Sequence, residues 1–330
     1  RNHIERNYKR PWFDRNLRNI LSYILPRANV FLTMGLLVKL IKPLAFLLPA
    51  KLKDMVSLMP TSFPKPQHKV KKVYSPEGKV YARVILLTGC VQKVISPQIN
   101  DSTINILNRH GVEVHVAQEL SCCGSLNHHL GKEKLAHKSF VQNINAWSEI
   151  CSKQPIDAIL VNTSGCGTTL KDYGFIFKDH PDKELRRKAK QISELAKDIT
   201  EYLGKNIKLN FVPQEKKYKI AYHSACSMQH GQKVHAQPIN LLKQSGNDIL
   251  EVPDGHLCCG SAGTYNLLQG TMAKELLKRK VENINKIEPD FISAGNIGCI
   301  TQIATGTQTP IVHTVELLDW FTGGNKPTSI

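Results

Sequence analysis

The cysteines of this sequence are the residues best placed to do chemistry together. The chain has 330 residues and nine cysteines, and without Cys151 these form two series of four. Matching members of the two series are 136, 136, 136 and 133 residues apart, which indicates a duplicated unit. The first series is Cys90, Cys122, Cys123 and Cys166, and the second is Cys226, Cys258, Cys259 and Cys299.

Each series supplies the ligands that a metal centre needs. Four cysteine thiolates hold a cubane 4Fe–4S cluster, which is the cofactor we expect. Zinc stays open for one half, because four thiolates also suit a tetrahedral structural site. Burial in a core explains a single cysteine well, but it does not explain two matched sets. Cys151 has no counterpart in the repeat and is interpreted as a residue that packs against the sheet.

Glycines accompany the cysteines in both series. Neighbouring residues of a strand point to opposite faces, so the Cys-Cys pairs are predicted to lie in turns. Gly124 and Gly260 follow these pairs and permit the backbone torsions of such turns. Gly165 and Gly298 precede the last cysteine of each set, where they leave room for an inorganic cluster and offer amide groups to sulfur.

Histidines near the cysteines are weaker signals. His223 and His256 flank cysteines of the second series, and His128 and His129 follow the first Cys-Cys-Gly. Each could support a ligand or replace one, and the alternative is an ordinary core or surface histidine. We carry His223 and His256 forward as supporting residues of the second site.

Strands and helices alternate along both repeats, which predicts an α/β fold. The sequence therefore indicates two duplicated Rossmann-like β-α-β units with parallel sheets, preceded by a helical segment. Every cysteine of the two series follows a predicted strand. Since the carboxyl ends of parallel strands share one edge, three loops can bring four thiolates to one point. The predicted strands are 83–89, 112–116 and 158–162 in the first unit, and 219–225, 248–252 and 291–294 in the second. The predicted long helices are 126–150 and 267–286, with an extra charged helix at 183–197 in the first unit.

Basic residues are concentrated at the start of the chain. Residues 1–72 contain 15 Lys and Arg against 3 Asp and Glu, which accounts for +12 of the formal net charge of +17. We therefore divide the chain into a basic helical segment (1–75), a first cysteine-rich unit (76–210) and a second one (211–330). No recognised nucleic-acid motif accompanies the basic residues, so nucleic acid is not an expected partner.

The apolar stretch between Ile20 and Leu52 is interrupted by Pro26, Lys39 and Lys42, so we do not expect it to span a bilayer. Helices that pack on the protein or on a partner are the favoured interpretation. A basic surface lying on the inner face of the cytoplasmic membrane is the alternative. No secretory signal is present, so nine cysteines indicate ligands in a reducing compartment, the cytoplasm, rather than disulfides. The chain also starts at Arg1 rather than Met and is interpreted as a fragment.

Several stretches in residues 70–324 resemble the cysteine-rich CCG-domain family, which includes heterodisulfide reductase B-type subunits and lactate-utilisation proteins. The resemblance is strongest to the glycolate oxidase iron–sulfur subunits. It is carried by "LLTGCVQKVISPQIN", "QELSCCGSLNHHLGKE", "NTSGCGTTLKDYG", "HLCCGSAGTYNLLQ" and "AGNIGCITQI" with "HTVELLDW".

This resemblance implies an oxidoreductase subunit that is not catalytic alone. It would take electrons from FAD-binding subunits that oxidise glycolate to glyoxylate and pass them towards quinone. Lactate, glycerol-3-phosphate or heterodisulfide oxidoreductases are alternative complexes, and a zinc-stapled docking module is an alternative of another class. Two departures matter: this sequence has no ferredoxin module with C-x-x-C runs, and Thr163 and Asn296 stand where many relatives carry a further cysteine.

Overall fold

The computed structural model describes residues 2–60, 62–69, 71–117, 120 and 122–330. Arg1, at the start of the predicted basic segment, and Ser121, which precedes the first Cys-Cys pair, lie outside these ranges. The described chain contains two parallel sheets, each flanked by helices, and an N-terminal group of helices. The predicted α/β class, the parallel sheets and the N-terminal helical segment are therefore confirmed. The domain boundaries at 75 and 210 stay a prediction.

The first sheet has five strands in the order β1-β3-β2-β4-β5. They are β1 (Val73–Tyr74), β2 (Ala82–Leu87), β3 (Val112–His115), β4 (Ala158–Val161) and β5 (Ala196–Asp198). All neighbours are parallel except β1, which pairs antiparallel with β3. The central strands are runs of Val, Ile and Leu, as expected for strands that are covered on both faces.

The second sheet repeats this order with four parallel strands, β7-β6-β8-β9. They are β6 (Lys219–His223), β7 (Asp248–Glu251), β8 (Phe291–Ala294) and β9 (Ile311–His313). Strands β5 and β9 were not predicted, because three residues carry too little alternation to identify a strand. Strand β5 also corrects the predicted helix at 183–197, which ends at Leu195.

The helices of the first unit lie on both faces of its sheet. They are α5 (Gln92–Ile95), α6 (Gln98–Arg109), α7 (Ser125–His129), α8 (Glu133–Lys153), α9 (Ser164–Lys171), α10 (Tyr173–Ile176), α11 (Lys183–Leu195) and α12 (Ile199–Asn206). They are preceded by α1 (Asn2–Asn7), α2 (Trp12–Ile24), α3 (Ala28–Ile41) and α4 (Ala50–Ser57), with a 3-10 helix at Lys42–Leu47. The helix predicted over 126–150 is broken before α8, where Gly131 has φ of +74°.

The second unit has the same arrangement. Its helices are a π-helix (Ser227–Gln232), α13 (Ala236–Gln244), α14 (Tyr265–Leu268), α15 (Gly270–Asn285), α16 (Ile297–Ala304) and α17 (Thr314–Phe321). Helices α6 and α12 of the first unit pack against α17 and α13 of the second. Their apolar side chains form one continuous core with the facing sides of both sheets. The two units are thus joined by a shared helical layer.

The N-terminal helices bridge both units beside the cysteine turns. Leu17 and Leu21 of α2 are buried against Leu130 of the first unit and Leu268 of the second. Residues 28–47 behave differently, because this continuous helical stretch of 20 residues is only 11% buried. By length and composition it could cross a membrane, and it is the one such stretch among the described residues. Of the interruptions named above, Lys39 lies inside α3, Lys42 begins the 3-10 helix, and Pro26 precedes the stretch.

Candidate metal centres

The cysteines follow the carboxyl ends of the strands in both units. Cys90 comes shortly after β2, and the Cys122–Cys123 pair comes after β3. Cys166 lies in the first turn of α9, which begins directly beyond β4. The second unit repeats each placement, with Cys299 in the first turn of α16. The parallel edge thus gathers three loops to one point in each unit.

The thiols of the first set lie in direct contact. The Sγ atoms of Cys90 and Cys122 are 3.4 Å apart, and those of Cys123 and Cys166 are 3.0 Å apart. Cys122 and Cys123 also contact each other, so the four thiols form a continuous chain of contacts. The hydrogen bond with Cys122, followed by burial, raises the pKa of the Cys90 thiol well above its ordinary value. Four neutral thiols can share this space, whereas four thiolates need a cation to offset their repulsion.

The second set is arranged in the same chain of contacts. Cys226 touches Cys258, Cys258 touches Cys259, and Cys259 touches Cys299. The contact with Cys258, followed by burial, raises the pKa of Cys226. The contact with Cys259 lowers the pKa of the Cys299 thiol well below its ordinary value. Burial acts in the opposite direction, whereas His223 and Asn296 lower the pKa further. The side-chain amide of Asn296 donates to the Cys299 sulfur at 3.3 Å.

The glycines of the Cys-Cys-Gly turns have the predicted positive φ, +81° at Gly124 and +94° at Gly260. A Cβ on Gly124 would lie 2.2 Å from the ring of Phe140, and one on Gly260 would lie 2.5 Å from the backbone oxygen of Ala273. The amide of Gly260 donates to the Cys258 sulfur at 3.3 Å, and Gly124 makes the equivalent bond to Cys122. Glycine therefore allows both the turn and the amide–sulfur bond.

The other predicted supporting residues are placed less uniformly. Open space surrounds the Cβ position of Gly165, whereas that of Gly298 lies 2.7 Å from the Ser261 hydroxyl. A methyl group would therefore fit at Gly165 but not at Gly298, and their role beside a cluster stays a prediction. His256 is exposed, and its electrostatic neighbour is Asp254 rather than a thiol. Cys151 packs against the core beneath the first sheet, as predicted.

His223 is the predicted histidine that the structure brings into a thiol set. It ends β6, is 1% exposed, and has a ring nitrogen within 4.8 Å of the sulfurs of Cys259 and Cys299, which are equally close to each other. Its partner in the repeat is Leu87, which ends β2. The two sites therefore differ in the residue that closes their first strand.

Lys280 is a residue of the second site that sequence analysis missed. Its side chain is buried, and its ammonium group donates to the backbone oxygen of Asp254 at 3.1 Å. Burial lowers its pKa, while Cys259, Asp254 and Cys258 act in the opposite direction. The repeated V-x-N-I-N at 141–145 and 281–285 places Lys280 opposite Phe140 of the first unit. That alignment was the available signal, because in isolation Lys280 belongs to an ordinary charged helical run.

The donor sets fit the cofactor that the sequence predicts. Four thiols from three loops on a sheet edge are a sufficient ligand set for a 4Fe–4S cluster. The amide bonds to sulfur are of the kind that tunes such a cluster. The same four thiols fit tetrahedral zinc. The fold and sites thus define a duplicated α/β protein with two sets of four thiols that suit a metal centre.

Comparison with known proteins places this chain in a family. The model of the cysteine-rich domain (CCG) matches residues 84–171 and again residues 220–304, which together make up more than half of the chain. The chain belongs to this family. The two matches contain the eight cysteines of the duplicated sets, four in each.

Curated relatives include iron–sulfur subunits of oxidoreductases. The chain is 33% identical to the glycolate oxidase iron–sulfur subunit of Escherichia coli over 96% of its own length and 74% of that protein. It is 27% identical to a probable glycolate oxidase iron–sulfur subunit of Bacillus subtilis, over 79% of its own length and 58% of that protein. Lactate utilization protein A of Geobacillus kaustophilus is 25% identical over 72% of the chain. These relatives support an iron–sulfur oxidoreductase subunit.

Proposed function

We propose that this chain is the iron–sulfur electron-transfer subunit of a glycolate oxidase, with one cluster at each thiol set. The observation that carries the proposal is the convergence of four thiols, twice, at the carboxyl edges of two like sheets. Bound there, iron–sulfur clusters would supply one-electron redox chemistry. The cysteines would be the ligands, and the turn glycines with their amides would support them. Substrate oxidation itself would take place in FAD-binding partner subunits, with quinone as the eventual electron acceptor.

Contacts between the units support a relay from one centre to the other. The hydroxyl groups of Ser164 and Ser227 are 2.7 Å apart, and each serine lies within two residues of a cysteine. Helix α9, which carries Cys166, packs against the π-helix that follows Cys226. Covalent geometry limits the distance between the Cα atoms of Cys166 and Cys226 to about 19 Å at most. The two centres are therefore close enough to belong to one electron path.

Metal analysis combined with spectroscopy tests this function. The anaerobically purified chain should contain iron and acid-labile sulfide and give an EPR signal on reduction. Cys123→Ser should remove the centre of the first unit only, and Cys259→Ser that of the second only, because each set is complete within its unit. Stoichiometric zinc without a reducible signal would instead support a zinc-stapled docking module. Loss of all iron from either single variant would indicate one shared site and contradict the proposed arrangement.

The substrate of the complex is a separate question, because lactate utilization proteins share the motifs. We favour glycolate because the glycolate oxidase subunit of Escherichia coli is 33% identical over 96% of this chain, against 25% over 72% for lactate utilization protein A of Geobacillus kaustophilus. The test is quinone reduction by the co-purified complex with either hydroxy acid. Faster reduction with lactate than with glycolate would assign the chain to a lactate oxidoreductase.

A contact with the cytoplasmic membrane is part of the proposal. The apolar side chains of 28–47 are widely exposed: Leu37 is 52% exposed, Leu40 76% and Phe46 69%. Lys39 is exposed within this apolar surface and suits anionic headgroups. The chain should float with vesicles that contain phosphatidylglycerol, and Leu37→Glu with Leu40→Glu should abolish flotation. The control is Leu135→Glu, at an exposed leucine of α8. Equal flotation of the double variant would contradict the membrane contact.

A further inference from the structure

His223 has the surroundings of a ligand rather than of a packing residue. It is buried at the end of β6, and its ring faces the thiols of Cys259 and Cys299. Within the described part of the chain, neither ring nitrogen has a hydrogen-bond partner apart from a contact with the Cys299 thiol. A buried imidazole without polar partners is costly, so its nitrogen is available to a group that would occupy the site.

The repeat shows that the fold does not require a polar side chain at this position. Leu87 occupies the same place after β2 and is 2% exposed, so an apolar residue fills the space equally well. Among the described residues, one group combines a histidine with cysteines closely enough to hold a metal ion: His223, Cys259 and Cys299 of the second site. No histidine that the structure describes joins the thiols of the first set in this way. The histidine is therefore a feature of the second site and not of the architecture.

We propose that His223 is a nitrogen ligand of the iron–sulfur cluster at the second thiol set, which makes the two centres unequal. This inference rests on the proposed function, because it takes the second centre to be an iron–sulfur cluster. One iron then carries the imidazole nitrogen in place of one of the four thiolates of the set, because each cubane iron takes a single terminal ligand besides its sulfides. Neutral imidazole donates less negative charge than thiolate, and histidine ligation raises the potential of iron–sulfur centres. The second centre becomes the more oxidising one, so electrons move from the first unit to the second.

Nitrogen hyperfine spectroscopy on the full chain tests the assignment. Protein labelled with ¹⁵N-histidine is reduced anaerobically and measured by pulsed EPR beside unlabelled protein. A directly bound nitrogen gives a strong coupling that changes to the ¹⁵N pattern on labelling. That coupling should disappear in His223→Leu, which restores the residue type of the first unit. It should persist in His256→Leu, the control, because His256 is exposed and does not belong to the group that His223 forms with Cys259 and Cys299.

Potentiometry provides the second readout. His223→Leu should shift the midpoint potential of the second centre downwards and leave that of the first centre unchanged. If His223→Leu does not retain its cluster, the labelled wild-type protein alone decides the question. A wild-type spectrum with only weak nitrogen coupling would overturn the ligand assignment. Zinc at the second site would also overturn it, because zinc has no redox chemistry, while a reducible first centre would leave the proposed function standing.

Discussion

Lys280 places a positive charge inside the second unit, within reach of the thiol set. Its ammonium group is held by the backbone oxygen of Asp254, and Cys258 and Cys259 lie near enough to favour its protonated form. A fixed cation stabilises the reduced, more negative state of a neighbouring cluster and so raises its reduction potential. Phe140 gives the first unit no such charge. His223 and Lys280 therefore bias the two centres in the same direction.

We predict that Lys280→Met lowers the midpoint potential of the second centre by tens of millivolts. Methionine keeps the apolar stem and removes the charge, so packing changes little. Redox titration followed by EPR measures the shift, and the first centre serves as the internal reference. Arg279→Met is the matched control, since its guanidinium pairs with Asp254 at 2.8 Å on an exposed surface. An equal shift in both variants would show that the charge of Lys280 has no special access to the centre.

Among the individual residues, the cysteines could be assigned to the two thiol sets from their spacing, because a chance arrangement would not repeat four positions. His223 was identified as a candidate only from its position beside a cysteine. Lys280 could not be recognised in this way, since Lys278 and Arg279 precede it in a typical amphipathic helix. Whether a helical lysine faces solvent or a metal site depends on helix rotation, which neighbouring charges do not reveal.

Among the elements, the second Cys-Cys-Gly turn tolerates little change, because the backbone of a helix lies against it. Gly260 has positive φ, and a Cβ there would collide with the backbone of Ala273 in α15. We predict that Gly260→Ala destabilises the chain by roughly 2–4 kcal/mol, because strain adds to the backbone clash. It should also deplete the second centre of iron. Urea unfolding and iron analysis measure the two effects.

Gly263 offers the matched control for this substitution. It also has positive φ, +69°, but no atom lies within 4 Å of its Cβ position. Gly263→Ala should therefore cost about 1 kcal/mol, from backbone strain alone. Equal costs for the two variants would show that the approach of α15 contributes nothing.

His313 links the last strand of the second unit to helix stability. Its Nδ1 accepts from the amide of Val315 at 3.1 Å, and Glu316 accepts from the His313 amide at 3.0 Å, which together cap α17. Asp198 caps α12 at the equivalent place in the first unit. Burial lowers the pKa of His313 to about 4 from 6.5. Between about pH 4 and 6.5, His313 therefore binds more protons in the unfolded chain than in the folded one. The contribution of His313 to the free energy of unfolding consequently increases with pH over this range.

We predict that His313→Asn removes this pH dependence while it retains a helix cap. From about pH 4 to 6.5, the unfolding free energy of the wild type should rise relative to the variant by roughly 3 kcal/mol. Burial raises the pKa of Glu316 to about 7, which acts with the opposite sign in both proteins. The measurement is urea unfolding at a series of pH values. A difference that stays constant across this range would contradict the assignment.

The six longer parallel strands were all predicted within two residues of their observed ends, because each is a short, largely apolar run at a matching place in the repeat. The short strands β5 and β9 escaped prediction, since a hydrogen-bonded neighbour rather than composition makes three residues a strand. The antiparallel β1 also depends on its partner β3. Tertiary pairing therefore accounts for what local sequence could not predict.

At the level of the whole molecule, an ion pair between a half-buried arginine and a buried carboxylate links the two units. Arg109 at the end of α6 lies 2.9 Å from Asp319 of α17, whose side chain is 3% exposed. We predict that Arg109→Met destabilises the chain by about 2–4 kcal/mol, because it leaves a buried carboxylate without its cation. Asp319→Asn in the same background should recover part of the loss. Urea unfolding of the three proteins measures both effects.

Lys274→Met is the control, since its ion pair with Asp54 is largely exposed. Its cost should stay below about 1 kcal/mol. If Arg109→Met were equally mild, the ion pair would not contribute to joining the units.

The helix contacts between the two units are arranged with approximate two-fold symmetry. Helix α6 packs on α17, and α12 packs on α13. Since α6 and α13 are equivalent in the repeat, as are α12 and α17, the two contacts involve the same pair of helices with the units exchanged. A single ancestral unit with this surface would form a two-fold symmetric homodimer, whose centres are identical by symmetry. Gene fusion removes that constraint, because a substitution then enters one half alone. His223 opposite Leu87 and Lys280 opposite Phe140 are such substitutions. A downhill direction for electrons is thus open to a fused chain, whereas a symmetric homodimer of one unit could not have it.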